Sequence, residues 1–254
     1  MPEPRAYYSD RGLSAAYYDL LTGMDATLAG DVELYASLAP AGGGVLDLGA
    51  GTGRVAFALA ERGYSVVGIE PAPAMLAQAL AKRSALPADV AARVDLRRGD
   101  MTALKLERAF DVVVCAFFGL AHLPAGAAWA NAFEGMARHL APGGRVAVHL
   151  PLRARLAELP QVDPRRPVLR VPADAGATLE LFVRSRSFRE AIGRFDQVLE
   201  YRVTDARGSQ RRSLERQTYY VGDAEAVASR FGLSPDRPPV ALGDAGEVHV
   251  FRKT

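Results

Sequence analysis

Cysteine is nearly absent from this chain. The single one, Cys115, stands inside an apolar stretch, so no internal disulfide can form and the composition fits a reducing, cytoplasmic setting. No apolar run approaches the ~18 residues that a membrane span needs. The first residues, MPEPRAYYSDRG, lack the basic-then-apolar order of a secretory signal, so no membrane association is expected. A net charge of +2 gives no strong field of one sign, which argues against a nucleic-acid partner. Internal repeats and low-complexity tracts are missing too. With 49% hydrophobic residues over 254 positions, the chain can bury a full core as one large domain, or as one domain with a sizeable insertion.

What is present is organised around residues 45–54, VLDLGAGTGR. Apolar residues flanking Asp47 read as a buried parallel strand. Gly49, Gly51 and Gly53 follow at every second position, as in a tight turn where backbone approaches a ligand closely. Residues 55–62 then read as a helix that Gly63 stops. Strand, glycine loop and helix open a nucleotide-binding α/β unit. The dinucleotide fingerprint wants a sixth-position glycine, and Arg54 stands there instead. Residues 64–69 form a second strand ending in Glu70, an acidic residue placed to accept hydrogen bonds from a ribose diol. No basic residue beside Glu70 offers to hold a pyrophosphate or 2′-phosphate.

Taken together, VLDLGAGTG and VVGIEPAPAML resemble the class I S-adenosylmethionine (SAM) dependent methyltransferases, over roughly residues 45–150. The resemblance implies an α/β, Rossmann-like, doubly wound, seven-stranded, mostly parallel sheet with an antiparallel β cap inserted after strand five. It divides the chain into an N-terminal lid plus SAM-binding core (1–150), a cap (151–220), and a last helix and strands returning to the core (221–254). It also implies SAM as cofactor. Asp47, Gly49, Ala50, Gly51 and Gly53 then pass under the methionine part, while Glu70 and Pro71 meet the ribose. Met75 packs near the ligand, Asp100 and Met101 meet the adenine, and Ala116 and Phe117 lie beneath the methyl donor. Tyr17 belongs to a lid segment of the AxxYD type. The family's Asn-Pro-Pro-Tyr motif for exocyclic base amines is missing after strand four, as is any acidic cluster for a divalent metal. No metal is therefore expected.

Residues 1–9 read as a mobile arm carrying Tyr7 and Tyr8, and residues 12–21 as one short helix. Residues 141–145 read as a turn into a fifth strand at 146–150. Residues 178–188, 195–204 and 213–220 alternate apolar and polar side chains like antiparallel strands. Residues 151–220 hold 14 Arg against 9 Asp and Glu, an excess best placed on a solvated sheet face. Residues 240–242 and 247–252 read as the last two strands.

Methyl transfer from a sulfonium is an in-line displacement favoured by a dry, oriented pocket. Aromatic faces favour the cation. A base is needed only for an acceptor protonated at working pH. His122 and His149 follow strand ends that face the ligand, and an imidazole with an ordinary pKa near 6.5 suits that role. Tyr7 and Tyr18, with Tyr17, offer hydroxyls and rings to orient an acceptor. The expected acceptor is a small molecule methylated on an amine or heteroaromatic nitrogen. A small-molecule hydroxyl is the alternative, and an NAD-dependent dehydrogenase the rival from another class.

Overall fold

The computed structural model describes residues 3–160 and 162–253. Met1 and Pro2 of the expected arm lie outside them. The chain opens with β1 (Arg5–Ala6), α1 (Leu13–Ala16), α2 (Tyr18–Gly23) and α3 (Asp31–Ser37). The core follows as β2 (Gly44–Leu48), α4 (Arg54–Glu61), β3 (Ser65–Glu70), α5 (Pro73–Ser84), α6 (Ala88–Ala91), β4 (Val94–Arg98), β5 (Phe110–Cys115), α7 (Ala127–Arg138) and β6 (Leu140–Pro151). Next come α8 (Arg153–Ala157), β7 (Leu169–Pro172), β8 (Thr178–Arg189), β9 (Arg194–Thr204) and β10 (Gln210–Tyr220). The chain closes with α9 (Ala224–Ser229), β11 (Leu233–Pro235), β12 (Val240–Leu242) and β13 (Gly246–Lys253).

The main sheet runs β4-β3-β2-β5-β6-β13-β11. The first five strands are parallel and β13 is antiparallel to β6. Successive residues of a strand point to opposite faces, and both faces of this sheet are covered. Leu46, Leu48, Val113 and Val148 pack with Trp129, Phe133 and Met136 of α7 on one side. Val45, Val112, Val114 and Ala147 pack with Val55, Ala56 and Leu59 of α4 and Tyr35 of α3 on the other. Cys115 is fully buried in the first layer, and burial pushes its thiol up to about 12, so it is inert. Among the described residues no helix is long and apolar enough to cross a membrane.

Three local features differ from the sequence reading. The outermost strand position is split, because β11 pairs with the end of β13 and β12 with its start. Pro238 and Pro239 between them lack amide donors and cannot continue the ladder. The expected turn at 141–145 is instead an excursion within β6. Phe110 pairs with Leu140 and Val112 already with Arg145, so the extra residues bulge out near the amino end of β6. The single helix expected at 12–21 breaks at Tyr17, whose φ of −110° and ψ of 13° are not helical.

The second sheet runs β1-β10-β9-β8-β7. Phe195, Leu199, Tyr201 and Val203 of β9 are buried on its inner face. On the outer face Arg184 and Arg202 pair with Glu200, and Arg189 and Arg194 with Asp196. The arginine excess is thus partly neutralised within the sheet itself. The segment read as a mobile arm contributes its edge: β1 lies parallel to β10 with Arg5 opposite Glu215. Backbone pairing and the hydrogen bond between the Tyr7 and Tyr201 hydroxyls, at 3.0 Å, give this segment partners that its composition does not announce.

Candidate active site

The glycine loop lies at the carboxyl end of β2, at the switch point of the sheet order, where open α/β sheets bind ligands. Gly51 has φ +58° and Gly53 φ +87°, a left-handed backbone that side chains disfavour. A Cβ on Gly51 would stand 3.4 Å from the Met75 methyl and 3.9 Å from the Tyr18 ring. At Gly53 it would strike the Phe57 ring at 2.3 Å. Gly53 therefore serves the start of α4 rather than the cavity wall.

Glu70 ends β3 with its carboxylate buried and turned back on the loop. One oxygen accepts from the Gly51 amide and the other from the Ala72 amide, both at 2.8 Å. Burial raises its pKa and the two amides oppose the rise. Four lone-pair sites allow these bonds and a diol together. The Asp100 carboxylate caps the short turn at Met101–Ala103, accepting from the Thr102 amide and hydroxyl at 2.8 Å.

A cavity of about 250 Å³ opens between the loop, the β5 end and the N-terminal segment. It brings together Asp47, Gly49, Ala50, Gly51, Glu70, Pro71 and Met75 with Asp100 and Met101. Ala116 and Phe117 close it from the β5 end, and Tyr7, Tyr18 and His122 from the side facing the second sheet. Tyr8, Arg54 and Gly119 also line it. Motif spacing passed over Arg54 as a missing glycine. Its guanidinium is held by both oxygens of Asp31, at 3.0 and 2.5 Å.

Besides Gly53, two predicted residues lie outside the cavity wall. Tyr17 packs in the apolar cluster beneath the second sheet, and its hydroxyl accepts from Arg211 at 3.1 Å; the break between α1 and α2 turns it away from the loop. His149 is fully buried behind Phe118, with ring centroids 4.6 Å apart. Its alternation along β6 carries it beneath the wall rather than into the cavity.

The electrostatics are unusual in two places. Both oxygens of Asp47 are buried without a hydrogen-bond partner among the described residues. Burial pushes this carboxyl up to about 7, against the pull of Arg54. Burial likewise pushes His122 down to about 4, and His149 also down to about 4, so both imidazoles are neutral and weakly basic. The backbone is strained here as well. Phe117 and Phe118 are consecutive left-handed residues, with φ 42° and 63°, and Tyr8 has φ 60°. Such geometry costs roughly 1–3 kcal/mol each and persists where surroundings over-determine it.

Rings supply those surroundings. Tyr8 contacts Tyr18 at 5.7 Å and Tyr7 at 4.2 Å between centroids, and His122 meets Tyr219 at 4.9 Å. The N-terminal segment is also latched to the core. Asp19 of α2 accepts from the buried Thr52 hydroxyl of the glycine loop at 2.6 Å and pairs with Lys82 of α5 at 2.6 Å. On the other side, Glu215 of β10 accepts from the Leu13 and Ser14 amides at the start of α1, at 2.6 and 3.2 Å.

Comparison with known proteins places this geometry. Residues 45–144 match the family model for a methyltransferase domain. A cypemycin N-terminal methyltransferase from a Streptomyces species is 37% identical over 148 residues, which span 57% of this chain and 56% of that relative, little more than half of its length. Among solved structures, the CcbJ methyltransferase from Streptomyces caelestis is 25% identical, with a TM-score of 0.76 and 98% of both chains covered. The SAM-bound CalS10, an amino pentose methyltransferase from Micromonospora echinaspora, is 25% identical, with a TM-score of 0.72 over 94% of this chain and 97% of that one. Residues 45–144 thus match a methyltransferase domain, set in a fold shared with SAM-dependent methyltransferases.

Proposed function

We propose that this protein methylates a nitrogen of a small molecule, with SAM as donor. The unpartnered Asp47 carboxylate and the amides of the glycine loop fit the donor's polar end: a buried anion without a partner calls for a cation, and the methionine ammonium is one. Glu70 would hold the ribose hydroxyls, with Asp100 and Met101 at the adenine. When bound, SAM supplies a methyl carbon made electrophilic by its sulfonium. The chain's own work is to exclude water, to present aromatic faces to positive charge, and to fix the acceptor's approach.

The observation that carries nitrogen over oxygen is the depressed basicity of the imidazoles. A hydroxyl must shed its proton as it attacks, and a His122 titrating near 4 is a poor base for that purpose. An amine that has already lost its proton to water needs only its lone pair, and no base during the attack itself. The cypemycin and amino pentose relatives, whose names specify an N-terminus and an amino sugar, support the same choice. The test incubates the protein with methyl-labelled SAM and paired acceptors that differ only as amine or alcohol. N-methyl products from the amines alone are expected, and label found only on oxygen overturns the reading.

A further inference from the structure

A second, smaller cavity adjoins the first and shares Tyr7, Tyr8, Tyr18 and Phe117 with it. Its far wall is the inner face of β10, through Gln217 and Tyr219, and its floor includes Asp25 just past α2. Among its described lining residues Asp25 brings the one carboxylate, and no Lys, Arg or His stands against it. Asp25 lines this cavity and not the larger one. One of its oxygens is already engaged, accepting from the Thr27 amide at 2.9 Å and the Thr27 hydroxyl at 2.6 Å. That grip fixes the carboxylate and leaves the second oxygen for a ligand. Tyr219 is oriented too: its hydroxyl accepts from the Gln217 amide at 2.7 Å, and Gln217 in turn accepts from Gln197. The Tyr219 proton therefore stays available.

We propose that this side cavity is the acceptor subsite, that it selects organic ammonium groups, and that Asp25 is the residue that receives the charge arriving at the acceptor nitrogen. The inference rests on the methyltransferase reading of the larger cavity. An acceptor that arrives as an ammonium first gives one proton to solvent water; the freed nitrogen lone pair then forms the new N–C bond as the C–S bond breaks with its electron pair going to sulfur. One positive charge thus leaves sulfur and appears on nitrogen, which keeps its proton as an ammonium. A fixed carboxylate beside the nitrogen gains attraction along that path, and stabilisation that grows toward the transition state accelerates the step. The walls of Tyr8, Tyr18, Tyr219 and Phe117 add ring faces that favour the same cation. A hydroxyl acceptor would draw no such benefit, since it develops no lasting charge.

The test compares two probes of one shape, tert-butylammonium and tert-butyl alcohol, titrated into the protein loaded with S-adenosylhomocysteine (SAH), the demethylated donor. Asp25→Asn is the variant, because Asn keeps the oxygen that caps Thr27 and removes only the charge. In the unaltered protein the ammonium is expected to bind about tenfold or more tightly than the alcohol, and in Asp25→Asn the preference should fall to about twofold or less. SAH affinity should be the same in both. Equal binding of the two probes to the unaltered protein, or a preference that survives in Asp25→Asn, overturns the proposal. Loss of SAH binding in the unaltered protein would instead overturn the reading of the larger cavity, so the two failures are separable.

Discussion

Below its raised titration point, and with no ligand cation beside it, Asp47 carries a proton in the folded chain that the unfolded chain would have released. Its carboxyl titrates at about 7 rather than 3.8, mainly through burial. Between those values the native state binds more protons than the unfolded one, so stability falls as pH rises through this window and stays low above it. The full shift corresponds to a penalty on the order of 4 kcal/mol as an upper bound. Asp47→Asn should therefore melt several degrees higher than the unaltered protein at pH 8, lose that difference near pH 4, and bind SAM more weakly. Thermal melts across pH with and without SAM check all three. An equal melting temperature at pH 8 would mean that Asp47 is solvated in solution. If Asp47 holds the donor as proposed, the residue gives up stability for binding, a trade common at sites. Asp47 and the glycines were legible in the sequence because their meaning is local: strand, spacing, turn. Arg54 was legible only as a departure from a pattern, since nothing in its neighbours announces the ion pair with Asp31, 23 positions away.

The N-terminal segment works as an element with two attachments. Asp19 joins it to the glycine loop through Thr52 and to α5 through Lys82, and the Gln78 amide of α5 adds a bond to the Ala15 carbonyl at 2.8 Å. Thr52→Val keeps shape and burial but removes the donor to Asp19. A charge-assisted hydrogen bond contributes about 1.5–3 kcal/mol, so SAM affinity should fall roughly 10-fold or more if the latch holds the segment over the ligand. Calorimetry with SAM on a variant of unchanged far-UV spectrum measures it, and unchanged affinity would show that the latch is ornamental. The helical character of 12–21 was readable from its residues, and its Tyr18-Asp19 pair only through the resemblance to the family's lid segment. The break at Tyr17 was not, because its partners lie far along the chain: the Tyr17 hydroxyl accepts from Arg211 on β10. The same limit hid β1, two residues long and without any pattern of its own, and β11, whose pairing is decided by β13. His149 was misplaced for a related reason: position near a strand end says nothing of which side Phe118 will occupy.

At the scale of the whole molecule, the site is a junction of three bodies: the main sheet, the second sheet, and the N-terminal segment between them. Removing residues 3–9 should therefore lower both turnover and melting temperature, since it deletes β1 from an edge and Tyr7 from a wall. A truncation with full turnover would place the acceptor elsewhere. The parallel sheet order was legible from the succession of strands and helices, and the second sheet from period-two alternation. Their convergence on one cavity is a long-range fact that no window of sequence contains.

The capping of α1 by Glu215 joins residues 202 positions apart. Contacts of such separation close late, because the chain must first lose the entropy of a large loop. During synthesis, β2 through β6 with their glycine loop leave the ribosome well before β10 exists to receive the N-terminal strand. A nascent chain therefore has its glycine loop before it has the β10 wall of the smaller cavity. The aromatic N-terminal residues have no β10 to pack against until most of the chain is made, and only α9 and β11 to β13 remain to be added after it.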